Sequence, residues 1–283
     1  MELQIVDAHL HLWDPDRLTY PWLSEVPEIN QPFGLEAFHA QSEGITVNKM
    51  VFIQCECLPG QYLDEVNYIT KLSASDPRIQ GIIPWFPLEA PDAEERLETL
   101  LQNPLIKGIR RLEESPVSLF SKPAFLNNFQ LLSRHQLSFD ICAKNSLLGP
   151  ALSLVERHPE VRYMLDHMGK PDIKNQEMLL WKSHIRLLAQ NPNVYCKLSG
   201  LVTEADMQHW RADDLRPYFN YALEQFGIDR LVFGSDWPVV TLAASYRTWY
   251  DTATKLCTGF SSEELDKLFN KNASHFYRLN RPV

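Results

Sequence analysis

The chain has 283 residues, of which 45% are hydrophobic and 22% charged, and a formal net charge of −9 at pH 7. That balance describes a globular protein with a large core and excludes a disordered chain. The acidic excess argues against a nucleic-acid or anionic-membrane surface, and no apolar run approaches the ~18 residues of a spanning helix.

The opening MELQIVDAHLHLW has neither the basic segment nor the long apolar segment of a secretory signal, which points to the cytoplasm. Residues 3–13 read as a strand. Asp7, His9 and His11 alternate with Val6, Ala8, Leu10 and Leu12, so a period of two puts the polar three on one face. Two imidazoles so spaced can converge on one metal ion or one substrate group. From Trp13 to Phe33 the chain runs through Tyr20, Trp22 and four prolines without helical period. Long irregular loops are often functional. This one leaves the strand beside His11, so it is expected to cover a site and offer Trp22 to a sugar ring.

Further strands are expected over 49–57, 79–88, 106–113, 137–144, 161–167, 193–200 and 230–237. Helical periods fall near 60–74, 91–102, 123–135, 147–158, 176–190, 214–226 and 241–257. Ser261 with Glu264 forms a capping box that opens a last helix to about 277. Strand–helix alternation repeated eight times predicts an α/β fold, a (β/α)8 TIM barrel, as a single domain over 1–283. A doubly wound sheet fits less well, because no Gly-rich dinucleotide loop follows a strand. The cysteines Cys55, Cys57, Cys142, Cys196 and Cys257 form no C-x-x-C pair and read as buried thiols.

Barrels of this kind carry their chemistry at the C-terminal strand ends. Those ends offer His9 and His11, then Gln54 with Glu56, Arg110, Asp140 with Lys144, His167, Lys197, and finally Asp236 with Trp237. The Arg110 fork suits a substrate carboxylate or hydroxyls. Gln54 and Lys144 are further substrate-binding candidates, and Trp237, next to Asp236, is expected on the pocket wall. A barrel-facing Lys197 needs a partner, either Asp7 or Asp140.

D-A-H-L-H at the first strand and G-S-D-W-P at the eighth resemble the amidohydrolase superfamily. K-G-I-R, L-D-H-M-G-K-P and N-V-Y-C-K-L-S-G-L at the fourth, sixth and seventh strands, with W-D-P after the histidines, resemble its sugar-lactonase branch along essentially the whole chain. The resemblance implies hydrolysis of a small cyclic ester, such as L-fucono- or L-rhamnonolactone or 2-pyrone-4,6-dicarboxylate. It implies Asp236 as the base that activates water, with His9, His11 and His167 binding metal or polarising the carbonyl. Two departures matter: the fourth-strand lysine sits at the strand entry, and the fifth strand has no histidine. At most one divalent metal, zinc first, is expected on His9, His11 and Asp236, and catalysis without metal stays open. The alternative is a metal-dependent decarboxylase of an unsaturated or aromatic acid on the same barrel; a third reading is a sugar-binding barrel without turnover.

Overall fold

The computed structural model describes residues 3–113 and 118–279. Its parallel strands are β1 (Ile5–Leu10), β2 (Val47–Ile53), β3 (Ile79–Ile83), β4 (Gly108–Glu113), β5 (Ser138–Ala143), β6 (Arg162–Leu165), β7 (Val194–Leu198) and β8 (Leu231–Phe233). They pair as β1-β2-β3 and as β4 through β8. Backbone hydrogen bonds join the two runs at both seams. Ile82 N–H donates to Leu105 O at 2.8 Å and Lys107 N–H to Ile82 O at 3.1 Å. On the other side, Asp236 N–H donates to His9 O and His11 N–H to Trp237 O, both at 2.8 Å. The sheet therefore closes on itself as the TIM barrel expected.

The outer helices are α1 (Leu35–Gln41), α2 (Tyr62–Ser75), α3 (Ala93–Leu100), α4 (Pro123–Arg134), α5 (Leu148–Arg157), α6 (Leu179–Ala189), α7 (Ala212–Phe226) and α8 (Tyr246–Leu256). Local signals start several of them. Pro123 occupies the first turn of α4, where its missing N–H costs nothing. The Ser245 side chain caps α8 by accepting from Thr248 N–H. The Ser261–Glu264 box opens α9 (Ser262–Asp266), which passes through a π turn (Lys267–Lys271) into α10 (Asn272–Phe276). Phe276, Tyr277 and Leu279 then pack with Val6, Ala8, Val51, Ile53, Ile83, Met164 and Val232. The C-terminal segment thus plugs the floor of the barrel. No helix among the described residues is long and apolar enough to cross a membrane.

The first strand departs from simple alternation. Asp7 pairs with Met50 and Leu10 with Phe52, so Ala8 and His9 together oppose Val51 alone. A bulge of this kind shifts side-chain parity by one. Val6 and Ala8 therefore face the interior, contrary to the expectation, and Asp7 faces the helices. There Asp7 accepts from Ser235 N–H at 2.8 Å and from the Tyr246 hydroxyl at 3.1 Å. Past the bulge, His9 and His11 turn inward. Lys197 accordingly meets Asp140 and not Asp7.

Helix α1 was not anticipated. It is seven residues long, and Gly34 at its start provides no side-chain cap. His39 on α1 instead bonds Asp76, ahead of β3, at 2.9 Å, and Asp76 also accepts from Arg78. Burial pushes the Asp76 carboxyl up, but the Arg78 and His39 hydrogen bonds outweigh it and set it at about 2, against 3.8 for an ordinary aspartate. A depressed carboxylate contributes stability above its unfolded pKa and loses it as pH falls through the folded value. Asp76→Asn is expected to cost ~1–2 kcal/mol at neutral pH. Urea unfolding should show that cost shrinking as pH drops from about 4 towards 2.

Candidate active site

One carboxylate oxygen organises the barrel mouth. Asp236 Oδ1 lies 3.3 Å from His11 Nε2, 3.5 Å from His9 Nε2 and 4.0 Å from His167 Nε2. His11 donates its Nδ1–H to Ile53 O at 2.8 Å, which leaves the Nε2 lone pair facing the aspartate. Burial pushes Asp236 up, yet His167, His11 and His9 outweigh it and hold the carboxyl well below the usual range. Burial lowers His167 to about 4 and His9 well below its ordinary value. An ionised aspartate beside neutral imidazoles is the protonation state that metal ligation requires.

The residues fit a divalent metal. His9 Nε2 is buried without a hydrogen-bond partner, an arrangement costly in an apolar interior but natural for a ligand atom. The ligand atoms of His9, His11 and Asp236 lie within 4.8 Å of one another. Two imidazole nitrogens and one carboxylate oxygen suit zinc and similar ions with a position left open. His9, Asp166 and His167 form a second compact triple, but Asp166 is engaged by Lys197 at 2.9 Å and Arg110 at 2.9 Å.

That engagement forms a layer beneath the site. Lys197 Nζ bridges Asp166 Oδ1 and, at 2.8 Å, Asp140 Oδ2; the Tyr277 hydroxyl donates to the same Asp140 oxygen at 2.5 Å. Asp166 lies 3.3 Å from His9 Nδ1. Burial pushes Asp166 up, but Lys197, His9 and Arg110 together hold it well below the carboxylate range. It is the anchor that orients His9 from behind.

Backbone conformation sets the poses. After β6, His167 (φ 52°), Met168 (φ 51°), Gly169 (φ 72°) and Lys170 (φ 45°) form a left-handed turn, and Asp236 has φ 61°. Such conformations cost roughly 1–2 kcal/mol per non-glycine residue and gather at functional sites. The His167 ring lies against bare backbone: a Cβ on Gly200 (φ 64°) would sit 2.4 Å from His167 Nδ1. Ser199 Oγ holds that nitrogen at 2.9 Å. Gly200→Ala is therefore expected to displace the imidazole. It should cost about 1–2 kcal/mol from backbone strain and lower turnover disproportionately, as melting curves alongside kinetics would show.

A cleft of about 300 Å³ opens above this cluster, and its lining includes His11, His167, Asp236, Arg110, Gln54 and Trp22, with Trp13, Glu56, Lys170 and Glu204 also on its walls. The long loop reaches it as expected. Trp22 is held by an indole bond to Cys55 O at 2.8 Å, and the loop ends pair through Trp13 and Phe33. Two placements differ from expectation. Trp237 is fully buried against Phe33 and Phe38, behind the wall rather than on it. Lys144 is exposed and borders a neighbouring depression with Asn145 and Glu177. Gln54 lines the cleft, but its amide is bonded at both ends to Glu56. Arg110 reaches the cleft with its Nε–H on Asp166 and its other nitrogens on Gln54 O and Cys142 Sγ, so little of its fork faces a substrate. Asp166, Lys170 and Glu204 were not singled out from sequence. Asp166 had a signal: Arg110 and Lys197 both face the interior and need a carboxylate between them.

A family model described as amidohydrolase matches residues 6–279. The L-fucono-1,5-lactonase of Burkholderia multivorans is 30% identical over 292 residues, which cover 98% of this chain and 97% of that protein. A crystal structure of an amidohydrolase from Burkholderia multivorans with bound zinc superposes with a TM-score of 0.88 at 28% identity, covering 97% of this chain and 99% of that one. The 2,6-dihydroxybenzoate decarboxylase from Rhizobium superposes at 0.69 over 99% of this chain and 100% of its own, but at 14% identity it shares the fold alone. With a match running from the first strand to the C-terminal plug, this chain belongs to the amidohydrolase family.

Proposed function

We propose that the protein is a hydrolase that opens sugar lactones, with Asp236 as the proton-handling group. The observation that carries this reading is one ionised carboxylate ringed by three imidazoles at the foot of an aromatic-walled cleft. Its likeness to an L-fucono-1,5-lactonase over nearly its whole length supports the substrate class.

The lactone ring lies in the cleft against Trp22 and Trp13, with its carbonyl towards the histidines. Asp236 takes a proton from water as the water oxygen bonds to the carbonyl carbon. The carbon–ring-oxygen bond then breaks, and Asp236 returns the proton to the departing oxygen, which becomes a hydroxyl. The resulting acid loses its own proton to solvent. Acid–base work of this kind supplies ~10²–10⁴-fold. With the Ser199 hydroxyl donating to Nδ1, His167 carries its proton on Nε2 and can donate to the carbonyl oxygen. His9, His11 and Asp236 would hold one divalent ion, zinc in this reading, which when bound supplies Lewis-acid chemistry. The five cysteines are free and buried, which suits a reducing cytoplasm.

A panel of five- and six-membered aldonolactones followed by pH indicator tests the assignment. It should be run on stripped and zinc-reloaded protein beside a carbon dioxide assay on aromatic acids. Acid release from a lactone is expected. Carbon dioxide release with silent lactones would overturn the reading in favour of a decarboxylase.

A further inference from the structure

We propose that Glu56, Lys170 and Glu204 determine specificity at this cleft: they read the hydroxyls of a neutral, polyhydroxylated lactone and disfavour lactones that carry a carboxylate. The proposal rests on the lactone-hydrolase reading of the same site and concerns residues the chemistry above does not use.

Backbone strain marks two of them. The non-glycine residues with left-handed φ among the described residues are Glu56, Gln136, His167, Met168, Lys170, Gln176, Asp236 and Arg278. Four of these line the cleft: Glu56, His167, Lys170 and Asp236. His167 and Asp236 already have roles in the hydrolysis, at the carbonyl oxygen and at the water. Glu56 and Lys170 are held in the same costly geometry around the same cavity, and such strain persists where surrounding structure imposes it.

Their hydrogen-bonding state says what they do. Glu56 N–H donates to Gln54 Oε1 at 2.6 Å, and the Gln54 amide donates back to Glu56 Oε1. Gln54 is fully buried, so this clasp fixes the carboxylate. Glu56 Oε2 has no hydrogen-bond partner among the described residues and remains an acceptor. On the lining of the same cleft, Lys170 Nζ stands 3.9 Å from Glu204 Oε1, too far for a hydrogen bond, with side chains 20% and 27% exposed. That spacing leaves donors and acceptors unfilled side by side. A hydroxyl, which donates and accepts at once, satisfies both members, and a vicinal diol can reach the two together.

Charge points the same way. The two cations of the cleft wall are each faced by a carboxylate, Arg110 by Asp166 and Lys170 by Glu204. Glu56 faces no cation within ion-pair distance among the described residues. A substrate carboxylate would therefore meet two acids and no unpaired base, whereas sugar hydroxyls offer those acids charge-assisted hydrogen bonds.

The test compares kcat and KM of the zinc-loaded enzyme for its best aldonolactone, for unsubstituted δ-valerolactone and for a glucarolactone, which bears a carboxylate. Glu56→Gln and Glu204→Gln are each expected to lower kcat/KM for the aldonolactone about tenfold more than for δ-valerolactone, mainly through KM. Both should also narrow the disadvantage of the glucarolactone. Lys170→Met is expected to reduce the same ratio without helping the anionic substrate. A purely structural role would depress all three substrates alike. If Glu56→Gln fails to fold, the half-buried Glu204 reads the same ratio. Ratios within twofold of wild type in an active enzyme would overturn this assignment alone, as would a wild-type preference for the glucarolactone. A wild type inert towards every lactone would remove the lactone reading itself.

Discussion

Asp236→Asn is expected to lower kcat on the preferred lactone by ~10²–10⁴-fold while leaving the barrel folded. The amide matches the carboxylate in shape and keeps the backbone bond to His9, but it cannot accept a proton from water. Its effect has two separable sources. If Asp236 acts chiefly through the proton, zinc content measured on the purified variant should stay near wild type while turnover falls. If it acts chiefly as a ligand, zinc content and turnover should fall together. A rate within tenfold of wild type would defeat both and remove Asp236 from the reaction. The pH profile adds a sign. Asp236 is held well below the carboxylate range and so stays ionised as the medium is acidified. Burial sets His167 at about 4, so it is neutral above that value and gains a proton below it. An inflection of the rate near pH 4 should therefore belong to His167 and not to Asp236. Asp236→Asn removes a charge that raises the His167 pKa, so it should carry that inflection to lower pH as well as lowering the plateau.

Local pattern carried much of this structure, and its failures have a common cause. The apolar runs of β2, β5 and β7 and the stripes of the long helices depend on neighbours a few residues away, so they were legible. The pair His9–x–His11 was legible as a pair. Which way it points was not, because the bulge between Asp7 and Leu10 is set by register against β2 some forty residues later. Asp7 shows the same limit: its partner Tyr246 lies at the other end of the chain. Helix α1 has too few turns for a period and no side-chain cap; a distant carboxylate, Asp76, pins it. Trp237 follows Asp236 in sequence, but the left-handed backbone at Asp236 sends the two side chains apart, one into the mouth and one behind it. His167 could be named from its motif, whereas its pose depends on a left-handed turn and on the missing side chain at Gly200. Residue types announced the chemistry, and long-range contacts decided the aim.

The layer beneath the site supports the second large effect. Lys197→Met is expected to lower unfolding free energy by ~3–5 kcal/mol, since it strands buried carboxylates. Methionine fills similar volume but leaves Asp140 and Asp166 without the ammonium between them. The two acids should respond differently. Asp166 keeps Arg110 at 2.9 Å and His9 at 3.3 Å. Asp140, raised by burial even with Lys197 present, keeps only neutral donors such as the Tyr277 hydroxyl and should hold a proton in the variant. A carboxyl whose folded pKa lies above its unfolded value favours folding below the unfolded pKa and loses that contribution as pH rises through the folded one. The gap between wild type and variant should therefore be widest at alkaline pH and shrink on acidification. Urea unfolding at two pH values would show this, and equal midpoints for both proteins at both values would refute it. Adding Asp140→Asn to the variant should restore part of the loss, because a neutral amide can still accept from Tyr277. Restoring stability in this way should not restore zinc affinity. Asp166 would still lack one of the two cations that hold it against His9, and a loosely held His9 is a poorer ligand whether or not the barrel is stable.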